Sequence, residues 1–370
     1  MREFKMWKNI DYGLILTVLI ICAFGILMIA SATNAHEVGL TRQVKIQSFA
    51  FVLGVVVIIA FMFIDYNMLG DLYKVIYVAS ILVLLMVYIP GLGVVQGNAR
   101  SWIKLGPIFV QTSEVAKLGF ILSFAKFLET RKGKLKTIKD VIPPLLFVAP
   151  FILLIMKQPD FGSALVYISI TIGMLFVAEL DFKLILLGLV IVVVGALNAN
   201  LFLSDTQYAR IESFLNPDSV EIEANYHLYQ SKVTLGSGME TGRGVFKGIY
   251  HRLDYLPIQE TDFIYAVIGE ETGFVGGVFV ISMYFLMMAS MLKVAFKSKD
   301  TYGSLIVTGV IFMFLFQIFE NIGMTMGLMP ITGITLPFLS YGGSSLIISL
   351  TAVGFVLNVY FRRKRRGFMI

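Results

Sequence analysis

Asp262 is the strongest candidate for chemistry in this chain. It stands in the run Leu256-Pro257-Ile258-Gln259-Glu260-Thr261-Asp262-Phe263-Ile264-Tyr265, where a polar loop enters a long apolar segment. The chain is 57% hydrophobic and only 15% charged, and a carboxylate held at a bilayer boundary is costly enough to mark a functional position. Thr261 is the expected N-cap of the following helix, with Asp262 in its first turn. There the helix dipole keeps a carboxylate ionised, and an ionised carboxylate can take a proton from a hydroxyl. On composition and spacing alone, helix capping is the better account of the residue, without any chemistry. Glu270 and Glu271 follow. On a regular helix Glu270 lies about 12 Å from Asp262 at 1.5 Å per residue, beyond the roughly 5–9.5 Å between paired glycosidase carboxylates. A two-carboxylate hydrolase built on this helix alone is therefore disfavoured.

Three other polar segments interrupt the apolar background. In Gln111-Thr112-Ser113-Glu114-Val115-Ala116-Lys117, Glu114 and Lys117 share a helix face. They form a structural ion pair, or a Lys117 that faces an anionic substrate and is oriented by Glu114. Trp102, just upstream, suits an interfacial aromatic belt. In Gln158-Pro159-Asp160-Phe161-Gly162-Ser163, Asp160 is either a helix cap or part of a polar cavity. The third segment, 204–261, spans about 58 residues, far longer than the ~12–15 of an ordinary loop. Its partly helical spacing of aromatic and aliphatic residues predicts short amphipathic helices lying on the membrane face. It carries Arg210, Gln230, Ser231 and Lys232, then Gly236-Ser237-Gly238-Met239-Glu240-Thr241-Gly242-Arg243-Gly244. Glycines there let backbone N–H groups approach an anion, although neither soluble nucleotide-binding glycine motif is present. A fourth stretch, Asn321 to Ser345, is dense in Gly and Pro, and broken backbone at membrane depth is tolerated where it lines a cavity. His36, His227 and His251 lack metal-ligand spacing.

The elements that must position these residues are membrane helices. A mean hydropathy of +0.83 and an apolar share above the ~45–50% of soluble domains give an all-α polytopic membrane protein, read as one domain over 1–370. Spans of about 20 apolar residues fall at 12–32, 46–64, 73–90, 113–129, 142–156, 161–179, 183–203, 262–292, 303–325 and 343–361. The basic loop 131–139, the basic tail from Arg362, and Arg2, Lys5 and Lys8 place both termini in the cytoplasm. The segments 91–112, 204–261 and 326–342 then lie outside. These retention charges account for the net +6, so nucleic acid is not an expected partner. The tail run also suits anionic membrane lipid. Cys22, the single cysteine, excludes an intramolecular disulfide.

The stretch Pro330-Ile331-Thr332-Gly333-Ile334-Thr335-Leu336-Pro337-Phe338-Leu339-Ser340-Tyr341-Gly342-Gly343-Ser344-Ser345 resembles the SEDS (shape, elongation, division, sporulation) proteins, the family of RodA and FtsW. So do Thr261-Asp262-Phe263-Ile264, Gln158 to Gly162, and Trp102 with Glu114 and Lys117. Asn321-Ile322-Gly323-Met324 leans toward the RodA branch. The resemblance covers essentially the whole chain, with ten spans and a large outer loop between the seventh and eighth. It implies a peptidoglycan glycosyltransferase of the bacterial cytoplasmic membrane, polymerising lipid II beside a class B penicillin-binding protein. Asp262 matches the family's essential aspartate, Glu114 and Lys117 its polar pair, and Asp160 its acidic turn. The chain departs from the family pattern at Met239, Glu240 and Thr241 and at Ile258.

The implied mechanism has Asp262 as general base on the acceptor hydroxyl, with Arg210 and then Lys117 stabilising the diphosphate leaving group. Substrate contacts are expected from Lys117, Glu114, Arg210, Asp160, Gln230, Ser231, Ser340 and Tyr341. No cofactor is called for, while a divalent cation (Mg or Mn) is compatible with the chemistry. A lipid II flippase and a non-catalytic scaffold are the rival classes.

Overall fold

A computed structural model describes residues 10–34, 39–96, 99–105, 108–184, 186–188, 190, 212, 214, 223–250, 252, 253 and 255–363. Each span expected from the sequence outside 183–203 holds a helix. In chain order they are α1 (Tyr12–Ala32), α2 (Arg42–Phe63), α3 (Tyr66–Asp71) and α4 (Tyr73–Leu85), the last continued by a 3-10 turn at Met86–Tyr88. Then come α5 (Thr112–Glu129), α6 (Ile138–Lys157), α7 (Phe161–Val177), α8 (Glu223–Ser237), α9 (Ile264–Phe296), α10 (Thr301–Met326) and α11 (Gly343–Phe361). Six of these, α1, α2, α6, α9, α10 and α11, are long and apolar enough to cross a membrane; α4 with its 3-10 turn and α7 are shorter apolar helices. The chain is a multi-pass membrane protein. The seventh expected span, 183–203, lies largely outside the described residues.

Burial sorts the helices into an interior and a lipid-facing ring. In α11, 72% of the apolar window is buried, and in α10 61%, against 17% in α2 and 22% in α6. The centre is therefore α10 and α11, with α2 laid along α11. Between α5, α6 and α7 an aromatic cluster of Phe120, Phe124, Phe151 and Tyr167 closes the core, with Phe120 and Tyr167 ring centroids 5.0 Å apart. Cys22 is buried among helices.

The fold is not purely helical, as the composition suggested. Residues 93–111 form a three-stranded antiparallel sheet, β1 (Gly93–Gln96), β2 (Ala99–Leu105) and β3 (Ile108–Gln111). The physical reason lies in the pattern of β2. Ser101 and Ile103 are buried, whereas Arg100, Trp102 and Lys104 occupy the opposite face, the period-2 alternation of a half-buried strand. Trp102 pairs with Gln111, which fixes the start of α5.

A second correction concerns α9. It is not one regular helix, because Gly273 (φ 67°, ψ −164°) breaks it.

Candidate functional site

Asp262 does not sit in the first turn of α9, nor does Thr261 cap it. The helix begins at Ile264 with Phe263 at the N-cap and no side-chain cap. Residues 257–263 instead form tight turns, with Asp262 N–H and Thr261 N–H both donating to the Ile258 carbonyl at 3.1 and 3.2 Å. Ile258 adopts φ 53°, a left-handed conformation that is rare for a β-branched residue and stores strain where it occurs.

Clamps from three other segments hold this loop. The fully buried Asn321 side chain of α10 donates to the Asp262 carbonyl at 2.9 Å and to the Ile334 carbonyl at 2.7 Å. Ser340 Oγ donates to the Thr261 carbonyl at 2.6 Å and accepts from Leu336 N–H at 2.8 Å. Tyr341 N–H donates to the Glu260 carbonyl at 2.8 Å. Gln259 Nε2 donates to the Ala32 carbonyl at the end of α1, 3.0 Å away. Gln47 of α2 fixes the Ser340–Gly342 turn by donating to the Ser340 carbonyl at 3.0 Å and accepting from Gly342 N–H at 3.1 Å. The Gly- and Pro-dense stretch 328–342 is thus protein-packed irregular backbone, the form such backbone takes at membrane depth. Asp262 itself is half-buried. Burial raises the ordinary pKa of the half-buried Tyr341 hydroxyl, with Arg42 opposing.

A second cluster lies around Asp160. It caps α7 by accepting from Ser163 N–H at 3.1 Å, and it also accepts from Gln111 Nε2 at 2.8 Å and Ser113 Oγ at 3.0 Å. Glu114 and Lys117 form a buried ion pair at 2.6 Å, and Lys117 is 1% exposed. In low dielectric such a pair holds only because each charge satisfies the other. The two clusters meet at Gly162, where a Cβ would stand 3.1 Å from the Thr332 carbonyl and 2.8 Å from the Ile334 side chain. Ile334 is the residue whose carbonyl Asn321 holds.

The glycine-rich loop has a different role from the expected anion cradle. Arg243 and Gly244 N–H groups donate to the Glu270 and Glu271 carbonyls at 3.0 and 2.9 Å, and Gly242 N–H donates to the Gly238 carbonyl at 2.8 Å. In return Phe274 and Val275 N–H groups donate to the Met239 and Glu240 carbonyls. A Cβ at Gly238 would lie 1.9 Å from the Gly269 carbonyl oxygen, and one at Gly242 2.1 Å from that of Glu271. The glycines admit a neighbouring backbone, and the loop supplies the hydrogen bonds that α9 loses at Gly273. Glu270 is likewise committed: its carboxylate accepts from Ile249 and Tyr250 N–H at 2.6 and 2.9 Å, with Arg243 at 3.9 Å. Glu271 accepts from Ser31 Oγ. Neither stands as a partner carboxylate to Asp262.

Of the other sequence candidates, Ser231 is buried and donates to the Thr325 carbonyl at 2.9 Å, docking α8 on α10. Gln230 is half-buried beside it. Arg210 lies outside the described residues, as do His36 and His251. Among the described residues no group of three or more His, Cys, Asp or Glu side chains could hold a metal ion. Sequence reasoning gave no role to Asn321, Gln259 or Gln47, although polar residues inside apolar helices are the usual signal.

The family model described as "Cell cycle protein", covering FtsW, RodA and SpoVE, matches residues 12–365. The chain belongs to this SEDS family. The FtsW/RodA/SpoVE relatives include a probable peptidoglycan glycosyltransferase FtsW of Geobacter sp. (strain M18), 35% identical over 96% of this chain and 98% of that one. Another is the peptidoglycan glycosyltransferase RodA of Treponema pallidum (strain Nichols), 31% identical over 96% and 98%. Among solved structures, a chain of a peptidoglycan synthase complex described as coordinating polymerization and crosslinking superposes with a TM-score of 0.81 at 32% identity, covering 95% of this chain and 97% of that chain.

Proposed function

We propose that this SEDS protein is a peptidoglycan glycosyltransferase, and that Asp262 is its general base. The observation that carries the base assignment is the loop geometry: a half-buried carboxylate four residues after the strained Ile258, in a loop whose carbonyls at 260, 261 and 262 are held by Tyr341, Ser340 and Asn321. Such fixation is what places a proton acceptor within reach of one hydroxyl. The Asp262 carboxylate takes the proton of the acceptor sugar's 4-hydroxyl, whose oxygen attacks the donor's anomeric carbon. The bond to the diphosphate breaks, and polyprenyl diphosphate leaves with the electron pair. Lys117 is locked to Glu114, so its contribution to leaving-group charge is through the field of the pair, and Arg210 remains the first candidate for direct contact. A divalent cation would offset the diphosphate charge, and since no group of three or more His, Cys, Asp or Glu side chains among the described residues could hold one, its ligands would have to come largely from substrate and water.

We read ten spans with both termini cytoplasmic from the apolar runs and the basic loops, and on that reading the Asp262 loop lies at the outer face of a bacterial cytoplasmic membrane. The relatives are named FtsW, RodA and stage V sporulation protein E alike, so our proposal that the polymer serves cell-wall elongation and rod shape rests on the likeness of Asn321-Ile322-Gly323-Met324 to the RodA branch. The synthase-complex likeness supports a class B penicillin-binding protein as partner.

The test is purified protein, with and without that partner, incubated with labelled lipid II and resolved for glycan strands. Wild type makes polymer and Asp262→Asn makes none. Polymer from Asp262→Asn removes the base assignment, and rapid lipid II translocation without polymer makes the chain a transporter.

A further inference from the structure

Where α6 ends, three residues before Asp160, two cations converge on one ring. The Arg100 guanidinium lies 6.0 Å from the Tyr88 ring centroid and the Lys157 ammonium 5.6 Å from it. They come from β2 and from the last turn of α6, whereas Tyr88 closes the 3-10 turn after α4. Among the described residues neither cation is paired with a carboxylate; the ion pairs involve other residues. A single ring offers each cation a modest attraction and does nothing to offset their mutual repulsion. The Arg100 side chain runs past Gly93, its Nε 3.2 Å from where a Cβ there would stand. The exposed Lys104 extends the charge along the same face of β2. The Tyr88 hydroxyl is buried and has no hydrogen-bond partner among the described residues, so an acceptor oxygen that reached it as the ring turned would satisfy an unmade bond.

Below the cations the surface turns apolar. Leu85 and Ile89 flank Tyr88, and Leu153 lies one turn before Lys157, with exposures of 39%, 46% and 68%. Positive charge at a helix end above exposed aliphatic side chains complements a head group with phosphate oxygens and hydrocarbon chains beneath it. We infer that Arg100, Tyr88 and Lys157 form a binding site for the phosphate of a lipid, with its chains laid along Leu85, Ile89 and Leu153.

The lipid is either a glycerophospholipid or a polyprenyl diphosphate, the second resting on the glycosyltransferase reading. Retention is measured by native mass spectrometry of the full chain released from nanodiscs containing phosphatidylcholine with phosphatidylglycerol, or phosphatidylcholine with a polyprenyl diphosphate. Wild type retains the anionic lipid, phosphatidylglycerol or the polyprenyl diphosphate, in excess of zwitterionic phosphatidylcholine, whose choline offsets its phosphate charge. A basic residue in contact with the lipid phosphate contributes roughly fivefold, about 1 kcal/mol. Lys157→Gln, at an exposed position, therefore weakens retention about fivefold, and Arg100→Gln/Lys157→Gln about thirtyfold. Lys134→Gln/Lys136→Gln, which removes two charges from the 131–139 loop, leaves retention unchanged. Enrichment of one lipid in the wild type identifies the source, and this readout does not depend on polymer formation. Equal retention by wild type, Lys157→Gln and the Arg100/Lys157 double variant overturns the site.

Discussion

Replacing Asn321 by alanine removes one amide that holds two backbone segments, at the Asp262 carbonyl (2.9 Å) and the Ile334 carbonyl (2.7 Å). The side chain is fully buried, so water does not take over. A buried acceptor left without its partner costs about 1–3 kcal/mol, and the two together put the expected destabilisation at roughly 2–6 kcal/mol. The effect on catalysis is a separate quantity. A displacement of about 1 Å at a reacting group costs on the order of a hundredfold in rate, and Asn321 is the side-chain bond made to the Asp262 backbone itself. Asn321→Ala is thus expected to lower the rate of lipid II polymerisation about a hundredfold at a temperature where it remains folded. Ser231→Ala is the matched control, since Ser231 is equally buried and bonds the Thr325 carbonyl of the same helix. It should lower thermal stability by about 1 kcal/mol with little change in rate. The assay is glycan-strand formation from labelled lipid II, alongside thermal unfolding in detergent. If Asn321→Ala unfolds earlier yet polymerises within about threefold of wild type, the clamp does not position Asp262 and the argument fails.

Other perturbations separate the remaining interactions. Lys117→Met leaves a buried Glu114 unpaired and should cost about 3–5 kcal/mol of stability, most of it recovered in Glu114→Gln/Lys117→Met; thermal unfolding of the two variants checks this. Gly242→Ala forces a methyl against the Glu271 carbonyl and should lower the unfolding temperature more than Gly236→Ala, which meets nothing within 4 Å, the overpacking penalty being about 1–3 kcal/mol. Asp160→Ala removes the cap of α7, worth about 0.5–2 kcal/mol. It also frees the Gln111 and Ser113 side chains, while the lost cap shows as faster amide exchange at residues 161–164.

The long helices were legible because apolar runs of the right length have few other uses. The sheet was not: its outer strands are only four residues each, too short for their alternation to stand out from a loop. The dipeptides Gly97-Asn98 and Gly106-Pro107 were the available hint of turns between strands. Asp262 was legible as a special residue, but its location outside the helix was not, since Thr261 offers a good cap on paper and the backbone bonds of Ile258 decide against it. The glycine loop shows a deeper limit. A missing Cβ permits close approach without saying to what, and here the neighbour is the α9 backbone rather than an anion. Asn321 bonds partners at positions 262 and 334, and such long-range pairing leaves no local pattern.

The break at Gly273 also changes what length means for α9. Its 33 residues would make a rod of about 50 Å at 1.5 Å per residue, well over the ~30 Å of a bilayer's hydrocarbon core. The portion from Phe274 to Phe296 amounts to about 34 Å and carries the exposed Phe274, Val275, Phe285 and Phe296, so it matches the lipid by itself. The remaining turns, up to Ile264, are freed from that constraint and are bonded to the glycine loop instead. The helix therefore acts as a column with a separate capital: membrane thickness sets the tilt of the lower piece, while the seat of Asp262 is fixed by protein alone.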